Sequence, residues 1–391
     1  MKANPIFNYP LFALGFRAFF TLAGLSALLL IMIWNAMLSG KIQPHLYFPS
    51  YYWHAHEMLL GYNTAVIAGF LLTAVKNWTG KPTLTYDALA GFCFLWLYGR
   101  ILPFYAELLP DFFIALVDFA FLPILTFIVA KPIIATQQTR NYWILVLLLA
   151  LTLANGLMHL EFLKTGINTA TTGLTAAVGL IILLILTLAG RVFPFFTERA
   201  IPGTLIIKHP VLDAVSIVSA IMVFILQILE GSGALLAIMA SLAAVSNILR
   251  LVNWYVPRIR YVPLLWVLYL GYLWIIAGFV LTALAAYQLT TPALGLHAFT
   301  VGGIGVLTLG MMARVSLGHT GRALKASNTI ALAFVLLNIA VVLRVLLPIA
   351  FPAWYNQFLY GSVLAWLAAF ALFVFVYIPM LSNKRIDNQE G

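Results

Sequence analysis

Along this chain the apolar residues do not alternate with polar ones. They run in long unbroken blocks separated by short polar connections. Strict alternation would signal strands with one wet face, and recurrence at three and four residues would signal a helix with one wet stripe. Blocks that are apolar all round suit helices enclosed by hydrocarbon or by other such helices. A helix crossing the hydrocarbon core takes about 20 residues. Dividing the chain at its polar, glycine and proline positions gives twelve spans, at residues 11–37, 54–75, 83–101, 111–130, 141–162, 169–191, 210–229, 232–251, 262–288, 293–315, 327–348 and 354–381. The connection Glu230-Gly231-Ser232-Gly233 is short enough to force its two helices into a tight hairpin. Lipid offers no partner for backbone polar groups, so only helices or closed barrels cross it, and no alternating segments are present to make a barrel. The predicted fold is an all-α integral membrane protein, one polytopic domain over residues 1–391.

Composition agrees: 63% of residues are hydrophobic and 8% charged, where a soluble domain carries about 25% charged residues. The first block is too long for the apolar core of a cleaved leader, so it reads as the first span. A net charge of +10 raises the question of nucleic acid. That reading fails, because the basic residues sit in the short connections. Of the 21 Lys and Arg, sixteen fall at the termini, Lys2 among them, and in even-numbered connections; only Lys41, Arg100, Lys164 and Arg344 fall in odd-numbered ones, and Arg17 lies within the first span. Cationic connections stay on the cytoplasmic side, which puts both termini there. Cys93 is the only cysteine, which excludes an internal disulfide, a cysteine-rich metal site and covalent heme attachment.

With the topology set, five of the seven histidines share the outer leaflet. His54 and His56 open the second span, His159 nears the outer end of the fifth, His297 lies one turn into the tenth, and His45 is in the first outer connection. At 1.5 Å rise per residue the four helical ones lie within roughly 10 Å of the outer boundary. Neutral imidazole ligates heme iron, copper and zinc, and coordination offsets the cost of a polar group in lipid. His45 and the cytoplasmic His209 fit a wet interfacial role instead. His54 and His56 are two apart, about 200° on a helix, so they face opposite sides. Glu57 and Glu161 stand beside these histidines as further candidate ligands, and Asn155, one turn before His159, as its support. Asp118 is the acid deepest in a span, a candidate proton carrier with a catalytic role. Arg100 and Arg344 close spans near the same leaflet, where anionic heme propionates would suit them; membrane anchoring by snorkelling is the competing reading.

An internal similarity connects two of these positions. Residues 56–81, HEMLLGYNTAVIAGFLLTAVKNWTGK, align without a gap on 297–322, HAFTVGGIGVLTLGMMARVSLGHTGR. His56 meets His297, Gly61 meets Gly302, Gly69 meets Gly310, and Thr79-Gly80-Lys81 meets Thr320-Gly321-Arg322. Arg191 to Arg199, ending the sixth span, extends the pattern. This suggests three four-helix units, at 1–135, 136–255 and 256–391, with a heme held between His56 and His297. The arrangement resembles the catalytic subunits of heme-copper oxidases and nitric oxide reductases, a likeness of architecture.

The segments WHAHEMLLGYNTAVIAGFLLTAVKNWTG (53–80), GRVFPFFTERA (190–200) and RVSLGHTGR (314–322) are similar to the NnrS family of bacterial membrane proteins over essentially the whole chain. The resemblance implies heme, held non-covalently as heme b, copper, a nitric oxide context and the bacterial inner membrane. Heme would fall to His56 and His297, with Arg100 and Arg344 at the propionates, and metal to a set drawn from His54, His56, His159, His297, Glu57 and Glu161. Two functions stay open. One is binding or reduction of nitric oxide, with electrons from quinol or another donor. The other is transport of a metal, heme or nitrosyl-iron species.

Overall fold

The structure, a computed structural model, describes residues 6–387; Lys2 lies outside them. The described residues contain helices and no strand. Twelve helices are long and apolar enough to cross a membrane: α1 Gly15–Leu38, α2 Ser50–Thr79, α3 Tyr86–Tyr105, α4 Asp111–Ala135, α5 Thr139–Phe162, α6 Ala170–Ala200, α7 Pro210–Ile228, α8 Ala234–Trp254, α9 Pro263–Ala286, α10 Pro292–His319, α11 Asn328–Ala350 and α12 Pro352–Ser382. All twelve expected spans are present in order. The second begins four residues early, so His54 and His56 lie beyond its first turn. The sixth runs on to Ala200 through Pro194, because one proline removes a single N–H from an otherwise intact ladder. The α7–α8 hairpin turns on Glu230 at φ 54° and Gly233 at φ 73°.

The chain forms two compact units. The first comprises Met1–Ala177, Val315–Ala323 and Phe373–Gly391; the second comprises Val178–Arg314 and Leu324–Leu372. In the first unit α1 and α2 approach closely because glycine faces bulk. A Cβ on Gly15 would lie 2.5 Å from Leu72 Cβ, and one on Gly69 would lie 2.8 Å from the Phe20 ring. Small residues permit such contact where lipid supplies no hydrophobic drive to associate. Arg17, fully buried in α1, donates through Nη1 to Leu381 O and Asn383 O at 2.8 and 2.6 Å. It thus satisfies carbonyls at the C-terminal end of α12, where a cation is favourable.

In the second unit a buried arginine plays a similar part. Arg250 donates to Asp213 Oδ1 (2.7 Å), to Ser216 Oγ (3.0 Å), to Tyr272 Oη (2.8 Å) and to Leu186 O (3.0 Å). Asn247 Oδ1 accepts from Tyr272 and Ser216 and completes the network. A buried charge with this many partners is compensated, and it fastens α6, α7, α8 and α9 to one another.

α2 is 83% buried over its most apolar stretch and α10 is 72% buried, more than any other span. Polar side chains on those two helices must therefore find partners in protein. Each carries a π-helical stretch, Glu57–Tyr62 in α2 and Ala298–Val306 in α10, directly after His56 and His297 respectively. Wide turns of this kind recur at functional sites because they free carbonyls and re-aim side chains.

Candidate metal centre

Four helices of the first unit meet at one buried polar cluster. α2 contributes His56 and Glu57, α3 contributes Arg100, α4 contributes Asp118, and α5 contributes Asn155 and His159. The imidazoles of His56 and His159 both point their Nε2 at the same oxygen, Asp118 Oδ2, at 3.1 and 2.9 Å. One ligating atom from each of these three residues lies within 4.8 Å of the others, and all three residues are buried.

Every member of this trio is held from behind. His56 Nδ1 lies 3.2 Å from Glu57 Oε1. His159 Nδ1 lies 3.3 Å from the Tyr47 hydroxyl. Burial raises the pKa of the Tyr47 phenol above its ordinary value, with the Asp111 carboxylate adding to the effect, so it stays neutral at physiological pH. Asp118 Oδ1 accepts from Arg100 Nη2, which leaves Oδ2 facing the imidazoles. Asn155 bridges: its Oδ1 accepts from His56 Nε2 and its Nδ2 donates to Asp118 Oδ2, both at 3.1 Å. Phe48 covers the two rings, with centroids 4.5 Å from His56 and 5.4 Å from His159. Outer partners on both Nδ1 atoms and on the far carboxylate oxygen are the supports that fix metal ligands.

The local sequence explains how this fits between helices. In the π-helical turn after His56 the carbonyls of Leu60 and Gly61 both accept from the Thr64 hydroxyl, and α3 adds a second donor to each. Arg100 Nη1 donates to Leu60 O and Trp96 Nε1 to Gly61 O, each at 3.1 Å. Gly61 makes the crossing possible, since a Cβ there would lie 2.8 Å from Arg100 Nη1. In α4, Pro123 has no N–H for Phe119 O, and the helix is interrupted at Ala120, two residues after Asp118. A proline also clashes with the carbonyl four residues before it, which accounts for the break. Gly99 lets Asp118 pass, its missing Cβ standing 3.0 Å from Asp118 Oδ1.

Arg100 Nε and Glu57 Oε2 are 3.0 Å apart but off the hydrogen-bonding direction. The contact is an ion pair without a hydrogen bond. Arg100 thus faces both carboxylates of the cluster.

The chain matches the profile of the NnrS protein family over residues 10–385. It belongs to the NnrS family. No curated protein matches it. In this NnrS protein the family match runs from just before α1 to beyond α12, so the whole cluster lies within it.

The remaining predicted residues of the NnrS chain have other surroundings. His54 stacks on Trp34, centroids 4.5 Å apart and planes 8° from parallel, on the side of α2 away from His56, as their spacing requires. Glu161 Oε2 accepts from Ala170 N at 2.7 Å and caps the start of α6; the i, i+2 offset turns it from His159. His297, half-buried in the second unit, donates from Nδ1 to Ala293 O at 2.7 Å, and its Nε2 accepts from Arg344 Nη2 at 3.2 Å. Arg344 also donates to the Tyr355 hydroxyl at 2.9 Å. The structure therefore joins His56, Glu57, Arg100, Asp118 and His159, and separately pairs His297 with Arg344. Sequence reading missed Tyr47 and Phe48, which precede α2 in a connection with no periodic signal. It named Asp118 for proton transfer, without seeing that both histidines aim at it.

Proposed function

We propose that this NnrS-family protein holds a metal ion on His56, His159 and Asp118 and binds nitric oxide there. The convergence of both Nε2 atoms on Asp118 Oδ2, inside a buried cluster with outer partners already in place, carries this reading. Copper fits the donor set: imidazole suits it, and nitrogen–oxygen sets accept its divalent form. Charge points the same way. Glu57 and Asp118 oppose one Arg100, so with neutral imidazoles the cluster carries one negative charge in excess. An apolar environment favours a cation that offsets it. When bound, the metal would supply a Lewis-acidic, redox-active centre for nitric oxide.

Heme does not fit the same spot. The cavity beside Asp118 and Asn155 measures about 10 Å³, room for a water and not for a porphyrin. The heme reading rests instead on His297. Its Nδ1–H is tied to Ala293 O, which leaves Nε2 as the lone-pair nitrogen an axial ligand needs. His297 would hold a heme through that nitrogen, and Arg344, which lies 3.2 Å from it, would stand where a propionate could pair with its charge. Reduction would consume two nitric oxide molecules, two electrons from quinol or another donor and two protons, yielding nitrous oxide and water. Transport is the second reading, and one observation favours it. Asp118, Glu57, Arg100 and the two imidazoles stand close enough to pair with one another, which suits a site that loads and unloads a cation.

The test is metal analysis with absorption and electron paramagnetic resonance spectra, before and after nitric oxide, on the purified protein. His56→Ala, His159→Ala and Asp118→Asn should lose the buried metal, and His54→Ala and Glu161→Gln should keep it. Full metal content and an unchanged nitric oxide spectrum in both His159→Ala and Asp118→Asn would overturn the assignment. Loss of heme alone in His297→Ala would separate the two centres.

A further inference from the structure

An apolar groove of about 560 Å³ opens on the flank of the second unit, within the range of about 300–1,000 Å³ usual for clefts that hold a small ligand. Leu251 and Tyr255, four residues apart at the end of α8, form one wall. Trp266, Leu270 and Leu273 of α9, at i, i+4 and i+7, form the other. Such spacing keeps each set on one helical face. From Trp266 to Leu273 the groove follows α9 for about 10 Å at 1.5 Å per residue. Tyr255 is 48% exposed and Leu273 46%, so the groove opens outward, toward hydrocarbon.

Arg260 stands at the end of this groove, and Arg258 lies two residues before it in the 3₁₀ turn Pro257–Tyr261. That connection is an even-numbered one, on the cytoplasmic side by the positive-inside rule. These two guanidiniums differ from the arginines that hold the fold together. Arg17, Arg100 and Arg250 are buried and donate to carbonyls or carboxylates. Arg258 and Arg260 are exposed, and among the described residues neither meets a carboxylate. Arg260 donates to the hydroxyl of its neighbour Tyr261 at 2.7 Å. Residues 255–262 contain no Asp or Glu. The Tyr255 hydroxyl and the Trp266 indole N–H have ring contacts but no hydrogen bond among the described residues. The result is an apolar trough whose end carries hydrogen-bond donors and two uncompensated cations.

We propose that this groove binds one anionic glycerophospholipid of the cytoplasmic leaflet, with its phosphate on Arg258 and Arg260 and one acyl chain lying between α8 and α9. The planar fork of arginine matches phosphate oxygens, and basic pockets between spans on this side of a membrane take anionic headgroups. Charge selects this occupant. A neutral quinone matches the trough and leaves both guanidiniums unpaired. A second copy of this chain brings 21 basic residues and only 11 acidic ones. The bound lipid stabilises the second unit, because it binds the folded state alone. No residue of the metal cluster takes part.

The experiment uses the full-length protein, purified in a neutral detergent and stripped of lipid. Dioleoylphosphatidylglycerol or dioleoylphosphatidylcholine is titrated in, bound lipid is counted by native mass spectrometry, and the unfolding temperature is followed in parallel. The wild type should retain one phosphatidylglycerol in preference to phosphatidylcholine and unfold at a higher temperature with it. Arg258→Gln with Arg260→Gln should weaken phosphatidylglycerol binding about 25-fold, about 5-fold for each cationic side chain at an anionic surface, and leave phosphatidylcholine unchanged. Arg258→Lys with Arg260→Lys should keep most of the preference. Lys208→Gln with Lys325→Gln removes the same charge from other connections on the same side and should change binding less than twofold. Leu270→Trp fills the groove and should lower retention of both lipids; Leu273→Trp, at the exposed end, tests the same point if Leu270→Trp unfolds early without lipid. Equal losses in the arginine and lysine glutamine pairs would overturn the proposal, since the attraction would then belong to the whole surface. So would equal retention of the two lipids by the wild type. A wild-type dimer that becomes a monomer in the groove-filling variant would give the groove to a second copy and overturn it too.

Discussion

Replacing Arg100 by Met is the most informative single perturbation of the cluster. The side chain is similar in length and apolar, so the space stays filled while the charge disappears. Arg100 Nε lies 3.0 Å from Glu57 Oε2 and the same guanidinium donates to Asp118 Oδ1, with all three residues buried. At that separation one pair is worth about 5 kcal/mol of Coulomb energy at an effective dielectric of 20. Desolvation offsets much of this, and losing one partner of a buried pair costs about 3–5 kcal/mol, because the remaining charge has no compensation. The lost donor to Leu60 O falls within that range. Cys93 provides the assay. It is the only cysteine, it is buried, and it lies two turns before Arg100 in α3. A thiol-reactive dye labels it only when α3 opens, and each 1.4 kcal/mol multiplies the open population tenfold. Arg100→Met should therefore label about 100- to 4000-fold faster at fixed temperature, by the buried-pair cost above. Arg100→Lys should fall between, because it keeps the charge and loses the planar fork. Arg100→Met with Glu57→Gln should recover part of the loss, since the second change removes one orphaned charge. A labelling rate in Arg100→Met within twofold of the wild type would refute the argument that this guanidinium holds the cluster together.

Glu161→Gln removes the charge from the carboxylate that accepts from Ala170 N; it should cost at most about 1 kcal/mol as a weakened helix cap, read as a small drop in melting temperature with metal content unchanged. Gly173→Ala places a Cβ 2.6 Å from Ala154 O, a backbone atom that cannot swing aside, whereas Gly91 has nothing within 4 Å of its missing Cβ. Thermal unfolding should show Gly173→Ala destabilised by about 1–3 kcal/mol and Gly91→Ala unchanged or slightly stabilised; equal effects would contradict the packing at α5 and α6. Tyr272→Phe removes a partner of Arg250 Nη1 and of Asn247 Oδ1 and should cost about 1–3 kcal/mol. Thermal unfolding checks this, with bound metal unaffected because the network belongs to the second unit.

Much of this was legible in the sequence. The opposite placement of His54 and His56 followed from about 100° per residue on a helix, and the structure turns one toward Trp34 and the other toward Asp118. Arg100 and Arg344 were recognisable as unusual, being two of four basic residues in the odd connections. Their neighbours were not. Arg100 meets Glu57 and Asp118, whereas Arg344 meets His297 and Tyr355, and nothing within one helix distinguishes those fates. Glu161 looked as close to His159 as Glu57 to His56. The turn into α6 instead gave it the N–H of Ala170.

The sequence by itself determined the class, the twelve spans, their order and the face of each helix on which a given residue stands. Those follow from local rules, because in hydrocarbon each helix satisfies its own backbone and block length alone decides what spans. The tertiary structure decided which faces meet. Asp118 became the common target of His56 and His159 through the break before Pro123, the π-helical turn after His56, and the glycines at 61 and 99 that let α2, α3 and α4 cross closely. A metal-ligand geometry is a convergence of atoms within 4.8 Å from residues up to 103 positions apart, and only the packing between helices sets distances of that kind.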